Sequence, residues 1–497
     1  MSNSFVVPKT HIIYAICLPL AVLVGYFLAD LDSGSMAVVV LVLSVLSIPL
    51  LMRWHHLFVI MSWNATCCLF FLPGKPYLWM LAAVISFFFS LLNRSVRQNL
   101  GFIQAPGVAR SLIFLAAVVF ATAFLTGGAG LRVFGAESFG GKKYVYVIMA
   151  IVGYFALAGQ RIDAKRAGWY VAIFFLSTLA ILFGYVFVIG GSSFGMFYEL
   201  FPTDTAIQET GSAFLTEGIV RFGALSIVMG GVFAFVMARY GIRGLLDLTR
   251  PWRLLLFSLA VVGSLFCGFR SIIINFFLIV VCMFYFEGLF RTRYFVMVLA
   301  GGLLAGALAL PFVHKMPLSV QRTLSFLPIN VDQLARADAE GSTAWRLDMW
   351  KEALPEVPKH LLLGKGYAID PDDLFMSSVS AYRGFALGSE GSKVSGDYHS
   401  GPLSLIIPFG LFGVGAFLWF LCAALRVLYQ NYRFGGLALQ NVNTFLLAYF
   451  IVQIVSFFFI FGSLYSGLSM FTGLVGLSVS LNGGTCRPPE ATAEDTD

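Results

Sequence analysis

The sequence predicts an all-α polytopic membrane protein, and three observations carry that reading. Hydrophobic residues make up 59% of the 497 positions and charged residues only 11%, against about 45–50% and about 25% in a soluble domain. Mean hydropathy is +0.86. Apolar runs long enough to cross a hydrocarbon layer of about 30 Å follow one another along the chain. This excludes a soluble enzyme, a disordered chain, a nucleic-acid-binding module and an outer-membrane barrel, whose strands alternate over about 10 residues.

The runs fall near 12–29, 36–52, 57–72, 77–92, 111–126, 144–158, 168–189, 219–238, 254–269, 271–287, 295–313, 402–424, 438–461 and 464–481, about fourteen spans. Lys9 precedes the first, Ile12 to Ala29, which exceeds the about 7–15 residues of a signal-peptide core and reads as a span. The pattern divides the chain into 1–313 (spans 1–11), a long polar loop at 314–401, 402–482 (spans 12–14) and a polar, disordered tail at 483–497. In that loop Trp345, Met349, Ala353 and Leu354 recur at helical spacing within Ser342 to Val357, a helix that Pro355 and Pro358 should end. Gly364 and Gly366 mark a turn, and 370–395 is Ser/Gly/Asp-rich and irregular.

The +7 net charge records topology, because Lys and Arg concentrate in cytoplasmic loops. With a cytoplasmic amino terminus, most short-loop basic residues fall inside. Only Lys75, Arg132, Lys142, Lys143, Arg221 and Arg270 fall outside. Both termini are then cytoplasmic, and the 314–401 loop is extracytoplasmic. The seven cysteines, Cys17, Cys67, Cys68, Cys267, Cys282, Cys422 and Cys486, lie in apolar segments or the tail. That pattern implies neither a disulfide framework nor a metal site. The span interiors hold no Asp or Glu, unlike ion-coupled transporters. No nucleotide-binding signature occurs, and His55 and His56, beside Arg53, read as interfacial residues.

Three arginines stand out on the outer side: Arg221 in Gly218-Ile-Val-Arg221, Arg270 in Cys267-Gly268-Phe269-Arg270, and Arg346 in Trp345-Arg346. A guanidinium keeps its charge and presents a planar fork to phosphate. Snorkelling to the interface is the competing reading for Arg221 and Arg270, and a solvated helix face for Arg346. His399, in Asp397-Tyr398-His399-Ser400, is a candidate general base on a sugar hydroxyl. The competing reading is a loop or cap histidine. Asp397, Trp350 and Tyr398 are candidates for supporting it, and Tyr367, Tyr382 and Tyr398 for lining a sugar site.

In order, these features resemble the O-antigen ligase/polymerase family of bacterial envelope glycan enzymes. Cys267-Gly268-Phe269-Arg270 stands where the family has a Ser-Gly-Ser-Arg type motif. Arg346 and Trp350 match its Arg-x3-Trp helix, and Leu363-Gly364-Lys365-Gly366 its Leu-Gly-x-Gly turn. His399-Ser400 precedes a span with Gly410 and Gly413, as the family's His-Asn precedes its Gly-x2-Gly. Cys267, Phe269 and Ser400 depart from the family pattern, and no Asn-Pro-Asn-like stretch follows Arg221.

The resemblance implies a metal-independent, cofactor-free glycosyltransferase of the bacterial inner membrane. It would move a glycan from undecaprenyl pyrophosphate to an acceptor hydroxyl at the periplasmic face. Its partners would be the lipid-linked glycan, a glycan or lipid A-core acceptor, and a chain-length regulator or flippase of the same pathway. By the same resemblance Arg270, Arg346 and Arg221 would bind the pyrophosphate and His399 would act on the acceptor. Fourteen spans favour a polymerase or exopolysaccharide-type enzyme over a ligase. A flippase or other transporter is the alternative, and it would line a path through the bilayer with polar groups.

Overall fold

The computed structural model describes residues 33–96, 105–127, 140–202, 219, 221–369, 396 and 398–488, with isolated positions 19, 22 and 25. The sequence-predicted span at 12–29 lies outside these, apart from the three isolated positions. The chain divides into two units, Met1–His55 and His56–Asp497. The first contains the amino-terminal part of helix α1 (Ser33–Ser62), with Pro49 inside it. The remainder of the fold belongs to the second.

The architecture is all-α, and no β-strand occurs among the described residues. Eight helices among them are long and apolar enough to cross a membrane, with shorter apolar helices at Trp252–Leu265 and Arg270–Phe286. After α1 come α2 (Leu78–Val96), α3 (Pro106–Thr126), α4 (Gly141–Leu157) and α5 (Ala167–Leu176). Then follow α6 (Gly184–Gly190), α7 (Gly195–Leu200), α8 (Gly223–Leu245), α9 (Trp252–Leu265), α10 (Arg270–Phe286) and α11 (Arg293–Ala309). The long loop contributes α12 (Leu318–Leu324), α13 (Gln333–Ala353) and α14 (Glu356–Lys359). The chain closes with α15 (Gly401–Phe434), α16 (Gln440–Val455) and α17 (Leu464–Asn482).

Three elements differ from the sequence reading. The apolar run 57–72 does not make a helix of its own. Its start continues α1 to Ser62, and the rest turns back through an antiparallel bridge between Cys68 and Tyr77. Pro73-Gly74 and Pro76 supply the turn chemistry that ends it. Second, α15 runs ten residues past 424, because its polar end is satisfied internally. Buried Asn431 donates to Ser478 Oγ at 3.0 Å and to the Gly484 carbonyl at 3.2 Å, and accepts from Cys486 N at 2.9 Å. Those bonds also correct the disordered tail: residues 483–488 are held against α15, and 489–497 lie outside the described residues. Third, the loop helix α13 begins at Gln333, nine residues before the predicted Ser342. Asp332 caps it by accepting from Leu334 N at 2.8 Å. It ends at Ala353, just before Pro355 as expected. Met349 and Ala353 are buried as the spacing required, whereas Leu354 is exposed.

In the second unit α4 packs against α17 and α2, α15 against α3, and α8 against α9, α5 and α16. Small residues allow the close approaches that membrane helices need. A Cβ at Gly153 would come within 2.4 Å of the Trp63 ring, and one at Gly473 within 2.3 Å. Helix α11 has no buried residue; Leu303, Leu304 and Leu308 are all exposed, the pattern of a helix whose neighbour is lipid.

Segments that the charge pattern places on one side meet one another. Lys75 pairs with Glu199 at 3.4 Å, and Arg221 and Arg270 both bond α13 of the long loop. This end of the bundle carries the candidate site.

Candidate active site

The site is assembled where the long loop folds onto the ends of α8 and α10. Gly268 adopts φ +76°, which turns the chain between α9 and α10 and leaves Arg270 as the first residue of α10. The preceding Cys267 carbonyl accepts from Phe222 N at 3.1 Å, tying this turn to the residue after Arg221. Backbone pairing thus brings two arginines far apart in sequence to one place.

Helix α13 lies across them. Arg221 Nη2 donates to Asp338 Oδ1 at 3.0 Å and to Oδ2 at 2.9 Å. Arg270 Nη2 donates to the Ala339 carbonyl at 2.8 Å and to Thr343 Oγ1 at 3.1 Å. A further arginine, Arg322 of α12, is buried; its Nε donates to Asp338 and its Nη1 to the Gly268 carbonyl. Gln321 steadies this neighbour by donating to the His314 and Met316 carbonyls and accepting from Asp332 N at 2.7 Å. Ala339, Thr343 and Arg346 follow at i, i+4 and i+7, so Arg346 lies on the α13 face that meets Arg270.

The electrostatics are lopsided. Arg221, Arg270 and Arg322 interact with one carboxylate, Asp338, and Arg346 interacts with Arg270 and Arg221, so the five groups carry a formal charge of +3. Burial alone would push the Asp338 carboxyl up; Arg322 and then Arg221 overcome it and hold it below the usual carboxylate range. Burial lowers the Arg346 pKa, and the charges of Arg270 and Arg221 lower it further. Among the described residues Arg346 has no acceptor and no carboxylate partner. Guanidiniums crowded around too little negative charge form a site prepared for an anion.

His399 lies beside α13, next to Arg346. Its ring lies 5.3 Å from that of Trp345, the residue before Arg346, and 5.1 Å from that of Phe461. Phe461 ends the π-turn Ser456–Ile460 after α16. That turn approaches the start of α15 so closely that a Cβ at Gly401 would fall 2.2 Å from the Phe457 carbonyl oxygen. His399 has φ +45°, a left-handed conformation held from both sides. Trp350 Nε1 donates to the Tyr398 carbonyl at 2.8 Å. The Tyr398 side chain is buried with Ala353, Leu403 and Ile407, and burial pushes its hydroxyl up to about 12. Trp350 and Tyr398 therefore fix the backbone beneath His399.

The Leu363-Gly364-Lys365-Gly366 turn is a latch. Helix α15 is broken at Gly410, with φ +60° and ψ −160°. The break frees carbonyls that the turn satisfies: Lys365 N donates to Ile407 O and Gly366 N to Pro408 O, both at 2.9 Å. Leu411 N returns a bond to the Leu361 carbonyl at 2.8 Å. A Cβ at Gly364 would fall 2.1 Å from Pro408 O, and one at Gly410 2.2 Å from Leu362 O. Both motifs singled out in the sequence are halves of one joint, which anchors the loop, just after α14, to the bundle.

The structure thus brings Arg221, Arg270 and Arg346 together and places His399 against Trp345 beside Arg346. Tyr367 is buried among Tyr144, Phe409 and Tyr465 and lines no open surface. Asp397 and Tyr382 lie outside the described residues. Arg322 and Asp338 were missed by the sequence reading. Asp338 stands eight residues before Arg346 on the same helix, a spacing that shows only once the helix is started at Gln333.

Fold and site together define a multi-pass all-α membrane protein with an arginine-rich site under a late polar loop. Residues 211–418 match the family model described as O-antigen ligase (Wzy_C). Every charged site residue above falls inside the matched segment, which supports the O-antigen ligase/polymerase family and a membrane glycan-transfer function in O-antigen assembly. No curated protein matches the chain.

Proposed function

We propose that this chain is an inner-membrane glycosyltransferase that moves a glycan from undecaprenyl pyrophosphate to an acceptor hydroxyl at the periplasmic face. One observation carries the reading: three guanidiniums gather around a single carboxylate, and Arg346, beside two of them, is left without one. A pyrophosphate leaving group is already activated, and its departure develops negative charge that preorganised donors stabilise. Arg270, Arg346 and Arg221 take the pyrophosphate, with Arg322 behind them holding Asp338. His399 accepts the proton of the acceptor hydroxyl as that oxygen attacks the anomeric carbon and the bond to the pyrophosphate oxygen breaks. The order of motifs within the matched segment supports the same assignment.

The test uses purified protein in liposomes with an undecaprenyl-pyrophosphate-linked repeat unit, alone and with a lipid A-core acceptor. A ladder of longer lipid-linked chains without acceptor, lost in His399→Asn, identifies a polymerase. Product only with the acceptor identifies a ligase. Substrate that merely changes leaflets, with no covalent product in either case, would replace the transferase with a transporter.

A further inference from the structure

A second site lies away from the arginine cluster. A cavity of about 230 Å³ opens between α2, α3 and α4. On α2 it is lined by Phe87, Ser90, Leu91 and Arg94, at i, i+3, i+4 and i+7 of one helix face. Phe155 of α4 faces them, and Gly159, just past the end of α4, belongs to the lining. The lining is largely apolar, yet two polar groups stand in it. Ser90 is only 8% exposed, and its buried hydroxyl has no hydrogen-bond partner among the described residues. One terminal nitrogen of the Arg94 guanidinium is buried as well. A buried hydroxyl without a partner costs free energy unless a ligand supplies one.

We propose that this cavity binds an anionic phospholipid. Its phosphate is held by Arg94 and Ser90, and one acyl chain runs along α2 toward Phe87. The arrangement is graded as such a ligand is graded. The arginine is at the carboxyl-terminal end of α2, and Phe87 lies seven residues, about 10 Å, deeper along the helix. The end is basic beyond Arg94: Arg110 follows the start of α3, and Arg161, Lys165 and Arg166 follow the end of α4. These residues favour an anionic headgroup over a zwitterionic one. The cavity takes the headgroup-proximal part of one chain, and the rest of the lipid remains in the bilayer.

The experiment uses the full chain in detergent micelles with phosphatidylglycerol carrying a diazirine in one acyl chain. After illumination, labelled peptides are mapped by mass spectrometry. Labelling is expected on the segments 87–94 and 154–159. Unlabelled phosphatidylglycerol should compete it away, and diacylglycerol, which lacks the phosphate, should not. Arg94→Gln should weaken labelling about tenfold or more, the range for a lost charged hydrogen bond. Arg94→Lys should restore much of it, which separates loss of the ligand from loss of the fold. Ala109→Phe, which fills the cavity and leaves Arg94 in place, should block the label. Labelling indifferent to Arg94→Gln or to Ala109→Phe would overturn the proposal, as would equal competition by diacylglycerol. Competition by inorganic phosphate at equal concentration would make it an ion site and overturn the lipid assignment.

Discussion

Arg221 and Asp338, 117 residues apart, meet through one guanidinium nitrogen that lies 2.9 and 3.0 Å from the two carboxylate oxygens. The same carboxylate accepts from buried Arg322. Asp338 is therefore the pin that fastens the loop helix to the start of α8 and to α12, whose Arg322 reaches the Gly268 carbonyl before α10. Asp338→Asn leaves Arg322 buried without a counter-charge, and stability is expected to fall by about 3–5 kcal/mol, as for other broken buried pairs. Adding Arg322→Met should recover much of the loss, since an apolar residue of similar volume often replaces a buried pair at little cost. Thermal unfolding of both variants measures this. Two equally unstable proteins would remove Asp338 as the pin.

The same carboxylate gives a pH dependence with a definite sign. Its folded pKa is depressed, with burial opposing and Arg322 and Arg221 prevailing. A depressed carboxylate contributes stability that is fully present above its unfolded value of about 3.9 and is lost as pH falls through the lowered folded value. Hydrogen-exchange protection of Gln333–Ala353 should then exceed that of Asp338→Asn at neutral pH, and the gap should close below about pH 4. A gap that closes near pH 6 would point to a different group.

Arg346 is the opposite case, since no acceptor among the described residues rewards it in the folded state. Arg346→Ala should change stability by less than about 1 kcal/mol, while binding of the lipid-linked pyrophosphate weakens about tenfold or more. Arg346→Lys keeps the charge but not the planar fork and should fall between. A titration with the lipid-linked repeat unit, beside a melting curve, decides it. Loss of fold together with binding would make Arg346 structural.

The all-α, multi-span class was legible because it rests on composition, and Arg221, Arg270 and Arg346 stood out because charged side chains are costly to place at a membrane. What the sequence hid is pairwise. Nothing in Ser319-Val-Gln-Arg322 marks an arginine that will be buried, and Asp338 looks like one more charge on a solvated helix. The amino-terminal half of α13, Gln333 to Gly341, has only the buried pair Ala335 and Ala339 on its core face. Small alanines give little hydrophobic periodicity, so the helix read as starting at Ser342. The run 57–72 failed for the reverse reason: apolar content alone reads as a span even where Pro73, Gly74 and Pro76 turn the chain back.

The latch between the loop and α15 predicts coupled damage. Gly364 and Gly410 both have positive φ, where a side chain costs about 1–2 kcal/mol. At each, a Cβ would also collide with a carbonyl oxygen of the other segment. Gly364→Ala and Gly410→Ala should each destabilise by about 2 kcal/mol or more. The double variant should lose less than the sum, because both break one joint. Limited proteolysis should find new cleavage between 361 and 367 in each. Strict additivity would mean that the two glycines serve separate ends.

His399 stands where the loop returns to the bundle, its ring between Trp345 and Phe461. If it removes the acceptor proton, its loss should lower turnover by about 10²–10⁴-fold and leave donor binding intact. Alanine alone is a poor test, because the left-handed backbone at φ +45° disfavours it and local unfolding would imitate a catalytic loss. Asparagine tolerates that conformation. His399→Asn should keep the wild-type melting temperature and donor affinity, lose turnover, and erase the acid limb of the pH–rate profile. The limb is the discriminating readout. A histidine that only packs against Trp345 would slow the reaction evenly at every pH, and the profile of the asparagine variant would keep its wild-type shape.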